Sequence, residues 1–62
     1  MNAVAVLVDY GYSVSKNSIR LQGEQKLVHI EKRDGIINVF MNGLLERDEL
    51  RAIAEWVDGG DA

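Results

Sequence analysis

Apolar residues alternate with polar ones through the middle of the chain, and this period of two predicts β-strands. Lys26 to Lys32 and Ile36 to Met41 are two such runs, separated by Arg33-Asp34-Gly35. An Asp-Gly pair between two apolar runs is a strong short-range signal for a β-hairpin, because both residues tolerate the positive φ of a tight turn. The pattern therefore predicts a hairpin built from these two runs.

A second hairpin is predicted from Tyr12 to Gln22. Its apolar positions, Val14, Ile19 and Leu21, alternate with polar residues around Lys16-Asn17. Asparagine tolerates the backbone that tight turns require, so we expect the turn at this pair.

The segment from Ala3 to Asp9, AVAVLVD, is predicted to be a further strand. It is short and rich in valine, and it runs into the turn-like sequence Asp9-Tyr10-Gly11. These features favour a strand over a helix. Because both alternate sets of its side chains are apolar, we expect this strand to be covered on both faces.

The period changes to that of an α-helix between Glu46 and Asp58. Spacing of i, i+3, i+4 and i+7 places one apolar helical face at Leu50, Ile53, Ala54 and Val57. Acidic residues fill the first turn, where they complement the positive end of the helix dipole, and Gly59-Gly60 ends the helix. The sequence thus predicts an α+β fold in one small domain, residues 1–62: an antiparallel β-hairpin sheet of four to five strands, followed by one C-terminal amphipathic helix.

A single helix covers only one face of such a sheet. The face that is expected to meet the Leu50 stripe carries Val6, Val8, Val28, Ile30, Ile37 and Val39. The opposite face, which has no helix of its own, carries Leu7, Leu27, His29, Ile36 and Phe40. Exposed apolar patches mark interaction surfaces, so we predict a symmetric homodimer or a protein partner on the second face. The alternative is a small barrel in which the hairpins bury both faces.

Composition limits the possible chemistry. The 62 residues leave room for one thin core and exclude a two-domain enzyme. With Cys 0 and His 1, the chain has neither a disulfide nor a Cys/His zinc site. No apolar run approaches the roughly 20 residues of a membrane span, and no basic residue precedes the first apolar stretch as in a signal peptide. We therefore expect a cytoplasmic protein that does not bind membranes.

No motif in the sequence indicates catalysis, a metal or a cofactor. His29 is expected to be partly buried or to pack across strands, since a general base needs a nucleophile and an orienting carboxylate around a pocket. The glycines have neither of the common phosphate-binding spacings, and there is no calcium-binding loop. We predict a protein that is not an enzyme and takes no cofactor, metal or small-molecule substrate.

Aromatic and apolar residues supply the candidate protein contacts. Trp56 lies at the edge of the helical stripe, so it either packs over the sheet margin or contacts a partner, where tryptophan often dominates the binding energy. Tyr10 and Tyr12 flank Gly11 and either close a turn or stack on a partner. Together with Phe40 and Leu27 they form the predicted protein-binding set.

Basic residues on neighbouring hairpins suggest a second kind of partner. This strip consists of Lys16, Arg20, Lys26, Lys32 and Arg33, of which Lys16, Arg20, Lys32 and Arg33 are the candidate nucleic-acid contacts. Such residues could bind phosphates, with Tyr12 as a stacking platform, or they could protect strand edges from aggregation. The net charge of -3 argues against a bulk nucleic-acid binder.

The stretch VLVDYGYSVSKNSIRLQGEQKLVHIEKRDGIINVFMNG, followed by a helix, resembles the N-terminal β-domain of the CRISPR spacer-acquisition integrase. The resemblance lies in the order of strand, Tyr10-Gly11, hairpin and apolar strand ending at Gly43. It implies a β-domain of a kind used for dimer contacts. The family's catalytic residues belong to a large helical domain without a counterpart in this sequence, so no catalytic activity is implied.

The sequence as a whole predicts a non-enzymatic protein-interaction module. It would dimerise through its sheet and regulate or inhibit a larger protein, as a phage or mobile-element protein would, with its acidic helix suited to a basic surface. The alternative is a small nucleic-acid-associated protein that uses the basic hairpins.

Overall fold

The computed structural model describes residues 2–59 as an α+β fold. Its elements are, in chain order, α1 (Ala3–Asp9), β1 (Ser13–Val14), β2 (Ser18–Gln22), β3 (Lys26–Arg33), β4 (Ile36–Gly43) and α2 (Arg47–Val57). The four strands form one antiparallel sheet in the order β1-β2-β3-β4. The predicted α+β class is confirmed, with two helices in place of one. Gly60, part of the predicted helix stop, lies outside the described residues.

The prediction of a strand at Ala3–Asp9 is wrong, because this segment is the helix α1. Asn2 caps it: its side-chain oxygen accepts a hydrogen bond from the backbone N–H of Ala5 at 3.0 Å. The cap satisfies one of the donors that have no partner at a helix start. Ala3 and Leu7 lie one turn apart and are both fully buried. Burial of this apolar side outweighs the modest strand preference of valine.

Both predicted hairpins are confirmed. Between β3 and β4, Asp34 and Gly35 have φ values of 52° and 80°, and the two positive angles are those of a type I′ turn. In the upstream hairpin, β1 pairs with β2 around residues 15–17, although β1 is only two residues long.

The helix α2 is confirmed close to its predicted bounds, with Glu46 as its N-cap and Asp58 as its C-cap. Its buried side differs from the predicted stripe. The buried residues are Glu49, Ala52, Ile53 and Trp56, whereas Leu50 remains 50% exposed. The buried side of the helix is therefore shifted by one residue, toward the N-terminus, relative to the predicted stripe.

Both helices contribute to one core against the same face of the sheet, called here the inner face. Ile19, Val28 and Ile30 on that face are buried together with residues of α1 and α2. Successive side chains of a strand point to opposite faces, so the outer face carries the alternate residues, including Leu27, His29, Ile36 and Phe40. This division of β3 and β4 agrees with the prediction, but Val6, Leu7 and Val8 belong to α1 and not to the sheet.

Candidate interaction surface

Strand β4 keeps apolar side chains exposed on both of its faces. Ile36 and Phe40 on the outer face are 69% and 54% exposed, and Val39 on the inner face is 52% exposed. Met41 is the one residue of this strand that is partly buried against the core. The two helices thus leave β4 largely uncovered, on the inner face as well as the outer.

The backbone of β4 also has a free edge. Within residues 2–59, β4 pairs with β3 alone, so it lies at one end of the sheet. Arg33 and Ile36 flank the two-residue turn and form a hydrogen-bonded pair, after which the bonding alternates along the strand. Ile37, Val39 and Met41 consequently direct their N–H and C=O groups away from β3. The eight residues of β4, IINVFMNG, include no charged side chain.

Phe40 and Leu27 are the two predicted protein-binding residues that lie on the outer face. Phe40 pairs in register with His29, and Leu27 pairs with Asn42. Leu27 is half-buried and His29 is exposed. Phe40 and Leu27 are therefore diagonal neighbours, and these two side chains form an apolar area that continues from β4 onto β3. We call β4 together with this area the β4 surface.

The other three predicted protein-binding residues lie in or against the core. Trp56 and Tyr12 are each only 4% exposed, and the half-buried Tyr10 packs against the core. The Lys32 Nζ atom lies 4.1 Å from the Trp56 ring centroid and donates to the Trp56 carbonyl oxygen at 2.9 Å. Trp56 therefore packs within its own chain, on the buried side of α2.

A buried carboxylate, which the sequence interpretation missed, joins α2 to the sheet and to the chain that follows α1. Glu49 is fully buried and accepts hydrogen bonds from Lys26 Nζ at 2.7 and 2.9 Å and from the Tyr12 hydroxyl at 2.7 Å. It also accepts from the backbone N–H of Glu46 at 3.1 Å, as in a capping box. The spacing of Glu46 and Glu49 at the helix start was the available signal. In the sequence interpretation, the acids of the first turn were instead assigned to the helix dipole alone.

The protonation states of this group follow from its contacts. Burial raises the pKa of Glu49. The hydrogen bonds from Lys26, Tyr12 and the Glu46 backbone together lower this pKa by a larger amount, so it lies below the ordinary value of 4.5. Burial, together with the hydrogen bond to Glu49, raises the pKa of Tyr12 above 10.0. The carboxylate is ionised and the phenol neutral at pH 7, so the group serves as a structural anchor.

The predicted basic strip is divided between the two faces of the sheet. Lys26 and Lys32 lie on the inner face, where they bind Glu49 and Trp56. Arg20 and Arg33 are exposed on the outer face, and Lys16 is exposed in the turn between β1 and β2. Three of the four candidate nucleic-acid contacts are thus accessible to solvent.

Among residues 2–59, no three His, Cys, Asp or Glu side chains are grouped so that they could hold a metal ion. Neither helix in this part of the chain has the length and apolar character needed to cross a membrane. Comparisons of the chain with protein families, with curated proteins and with solved structures give no match.

Proposed function

We propose that this chain is a non-enzymatic protein-interaction module. It binds other protein chains through the β4 surface, and it acts as a regulator or inhibitor of a larger protein. The observation that carries this proposal is the exposure of apolar residues on both faces of an edge strand. Among residues 2–59, four of the seven exposed large apolar side chains belong to β4.

The backbone and composition of β4 support the proposal. A long apolar edge strand is a template for pairing with another chain, and proteins usually protect such edges with charges, proline, bulges or short length. Over its eight residues β4 has no charge and no proline. The opposite edge, β1, has only two residues. The chain thus leaves its long edge available and keeps the other one short.

Side chains on the outer face would add specificity to such pairing. Strand addition takes its affinity from main-chain hydrogen bonds and its specificity from alternate side chains. Ile36 and Phe40 alternate with Asn38 and Asn42 along the outer face of β4. This arrangement offers two apolar contacts and two amides to a partner.

Affinity capture with matched variants tests this proposal. Tagged wild type and two variants, Phe40→Lys and Glu24→Lys, are incubated with a lysate of the source cells. Phe40 belongs to the β4 surface, whereas Glu24 is exposed in the turn between β2 and β3. We expect wild type and Glu24→Lys to retain the same proteins and Phe40→Lys to lose them. Equal retention by both variants would contradict the proposal, and so would a wild type that stays monomeric and retains nothing.

A second candidate function is binding of single-stranded nucleic acid on the outer face. Arg20, His29 and Phe40 are register neighbours on three adjacent strands, which places a cation and two rings in one row. Rings on an open sheet can stack on bases while cations bind the phosphates. Fluorescence anisotropy with labelled oligonucleotides at low salt tests this function. Salt-sensitive binding that Arg20→Glu abolishes would support nucleic-acid binding, and absence of binding would contradict it.

A further inference from the structure

We infer that β4 is a dimerisation strand: two copies of this chain pair their β4 strands antiparallel about a two-fold axis at Phe40. The two four-stranded sheets then form one sheet of eight strands. This inference rests on the proposed function, because it names a second copy of the chain as an occupant of the β4 surface.

The backbone limits the possible registers. Ile37, Val39 and Met41 present the free N–H and C=O groups, so an antiparallel partner must place its own free residues opposite these. Two symmetric registers near the middle of the strand satisfy this condition. One is centred on Phe40 and the other on Val39.

The side chains favour the register centred on Phe40. In this register, the pairs between one copy and the other are, outward from Phe40, Val39 with Met41, Asn38 with Asn42, Ile37 with Gly43, and Ile36 with Leu44. Apolar residues meet apolar residues or glycine, and amides meet amides. The register centred on Val39 instead places Phe40 opposite Asn38 and Ile36 opposite Asn42. The segment of residues 36–44 is thus self-complementary about Phe40.

The two most exposed large apolar residues among residues 2–59 also meet in this register. Ile36 and Leu44 are 69% and 73% exposed, and they would meet at each end of the seam. At the centre, two Phe40 side chains would lie in a non-hydrogen-bonded pair, the position where cross-strand side chains approach most closely. Aromatic pairs in this position stabilise antiparallel strands.

Charge does not oppose the pairing. Each chain carries a net charge of -3, but residues 36–44 include no Asp, Glu, Lys or Arg. Like charges directly opposite each other destabilise paired strands, and this seam has none. Because both copies use the same surface in a two-fold symmetric contact, the chain needs no second, complementary surface.

The geometry also explains why assembly stops at two copies. Pairing uses the β4 edge of each chain and leaves the two β1 strands at the ends of the sheet. Each β1 strand is only two residues long, Ser13–Val14, which is a common protection against further strand addition. The product is a closed dimer, not a fibre.

Sedimentation equilibrium with two variants tests the contact. Val39→Pro removes an N–H that points away from β3, a change that edge strands tolerate, so the monomer keeps its fold. His29→Glu places a charge on the outer face one strand away from the edge. We expect dimers for wild type and His29→Glu and a monomer for Val39→Pro, with unchanged circular dichroism. A dimer that His29→Glu disrupts and Val39→Pro does not would be a face-to-face dimer and would overturn the inference.

Cysteine cross-linking tests the register and does not depend on how Val39→Pro folds. The chain has Cys 0, so a single introduced cysteine can bond only to its copy in another chain. The register predicts that Phe40→Cys forms an intermolecular disulfide under mild oxidation, because Cβ atoms of a non-hydrogen-bonded pair are close enough for one. Val39→Cys should stay largely reduced. Preferential cross-linking of Val39→Cys would overturn the axis at Phe40.

The outcomes separate this inference from the proposed function. A wild type that remains monomeric at high concentration overturns the dimer. If that monomer still captures another protein in a manner sensitive to Phe40→Lys, the interaction module stands without self-association. A monomer that captures nothing removes both.

Discussion

The Tyr12 hydroxyl lies 2.7 Å from the Oε2 atom of Glu49, and this hydrogen bond connects the chain just after α1 with the first turns of α2. Lys26 of β3 donates to both oxygens of the same carboxylate. Three parts of the fold therefore meet at one fully buried group. A buried polar group that loses its partner costs more than the bond itself contributes, so each member of this group depends on the others.

Replacement of Glu49 by Gln should reduce the free energy of unfolding by roughly 3 kcal/mol, because Lys26 would lose its opposite charge in a partly buried position. Urea unfolding at pH 7, followed by Trp56 fluorescence at fixed protein concentration, measures the change. Glu24→Gln is the control, since Glu24 is exposed and its loss should cost no more than about 0.5 kcal/mol. Equal effects of the two substitutions would contradict the structural role of Glu49.

The free energy of unfolding should fall at both the acid and the alkaline end of the pH range. The pKa of Glu49 is below 4.5 in the folded chain, so its contribution is present above pH 4.5 and is lost as the pH falls through the folded value. The pKa of Tyr12 is raised above 10.0, so its contribution is present below pH 10.0 and is lost as the pH rises through the folded value. Urea unfolding across a pH series should show Glu49→Gln flattening the acid side and Tyr12→Phe reducing the alkaline slope. An unchanged acid slope in Glu49→Gln would count against the first assignment.

Gly43 should be far less replaceable than Gly35. Both have positive φ, 107° and 80°, which costs a residue with a side chain about 1–2 kcal/mol. A Cβ at Gly43 would also overlap the Gln25 carbonyl oxygen and lie 2.6 Å from the Lys26 Cα, whereas one at Gly35 meets nothing within 4 Å. Thermal unfolding should therefore show a much larger loss for Gly43→Ala than for Gly35→Ala. Similar losses would mean that the backbone near Gln25 moves freely.

Leu7→Ala should destabilise the fold by about 3 kcal/mol, the usual cost of truncating a fully buried leucine. Val8 on the same helix is 54% exposed, and Val8→Ala should change stability by less than about 1 kcal/mol. Urea unfolding of the two variants measures the difference. Equal, small effects would show that α1 does not belong to the core.

Local signals were sufficient for the elements that depend on local chemistry. Asp34-Gly35 and the acidic start of α2 have a short-range physical cause, and both were found where the sequence predicted them. For the run AVAVLVD, a short apolar segment fits a buried strand and a buried helix alike. Asn2, which caps the helix in the structure, was a sign that the prediction did not use, because the prediction rested on the valine content and the following turn.

The candidate site was only partly accessible from sequence. Alternation placed Leu27 and Phe40 on one face of the hairpin, as the structure does. The position of β4 at the end of the sheet depends on strand order, which no local pattern encodes. The burial of Glu49 likewise depends on Lys26, which is 23 positions away, and on Tyr12, which is 37 positions away.

Two lysines of β3 hold α2 at its ends: Lys26 binds Glu49 near the start, and Lys32 binds the Trp56 carbonyl oxygen near the finish. The side chains on the opposite side of the helix do not pack against the core, and Arg47 and Arg51 are exposed. A fluorophore or an affinity handle joined to a cysteine at Arg51 would therefore leave the core and β4 undisturbed. The same freedom allows the outward positions of α2 to diverge in sequence while the fold is kept.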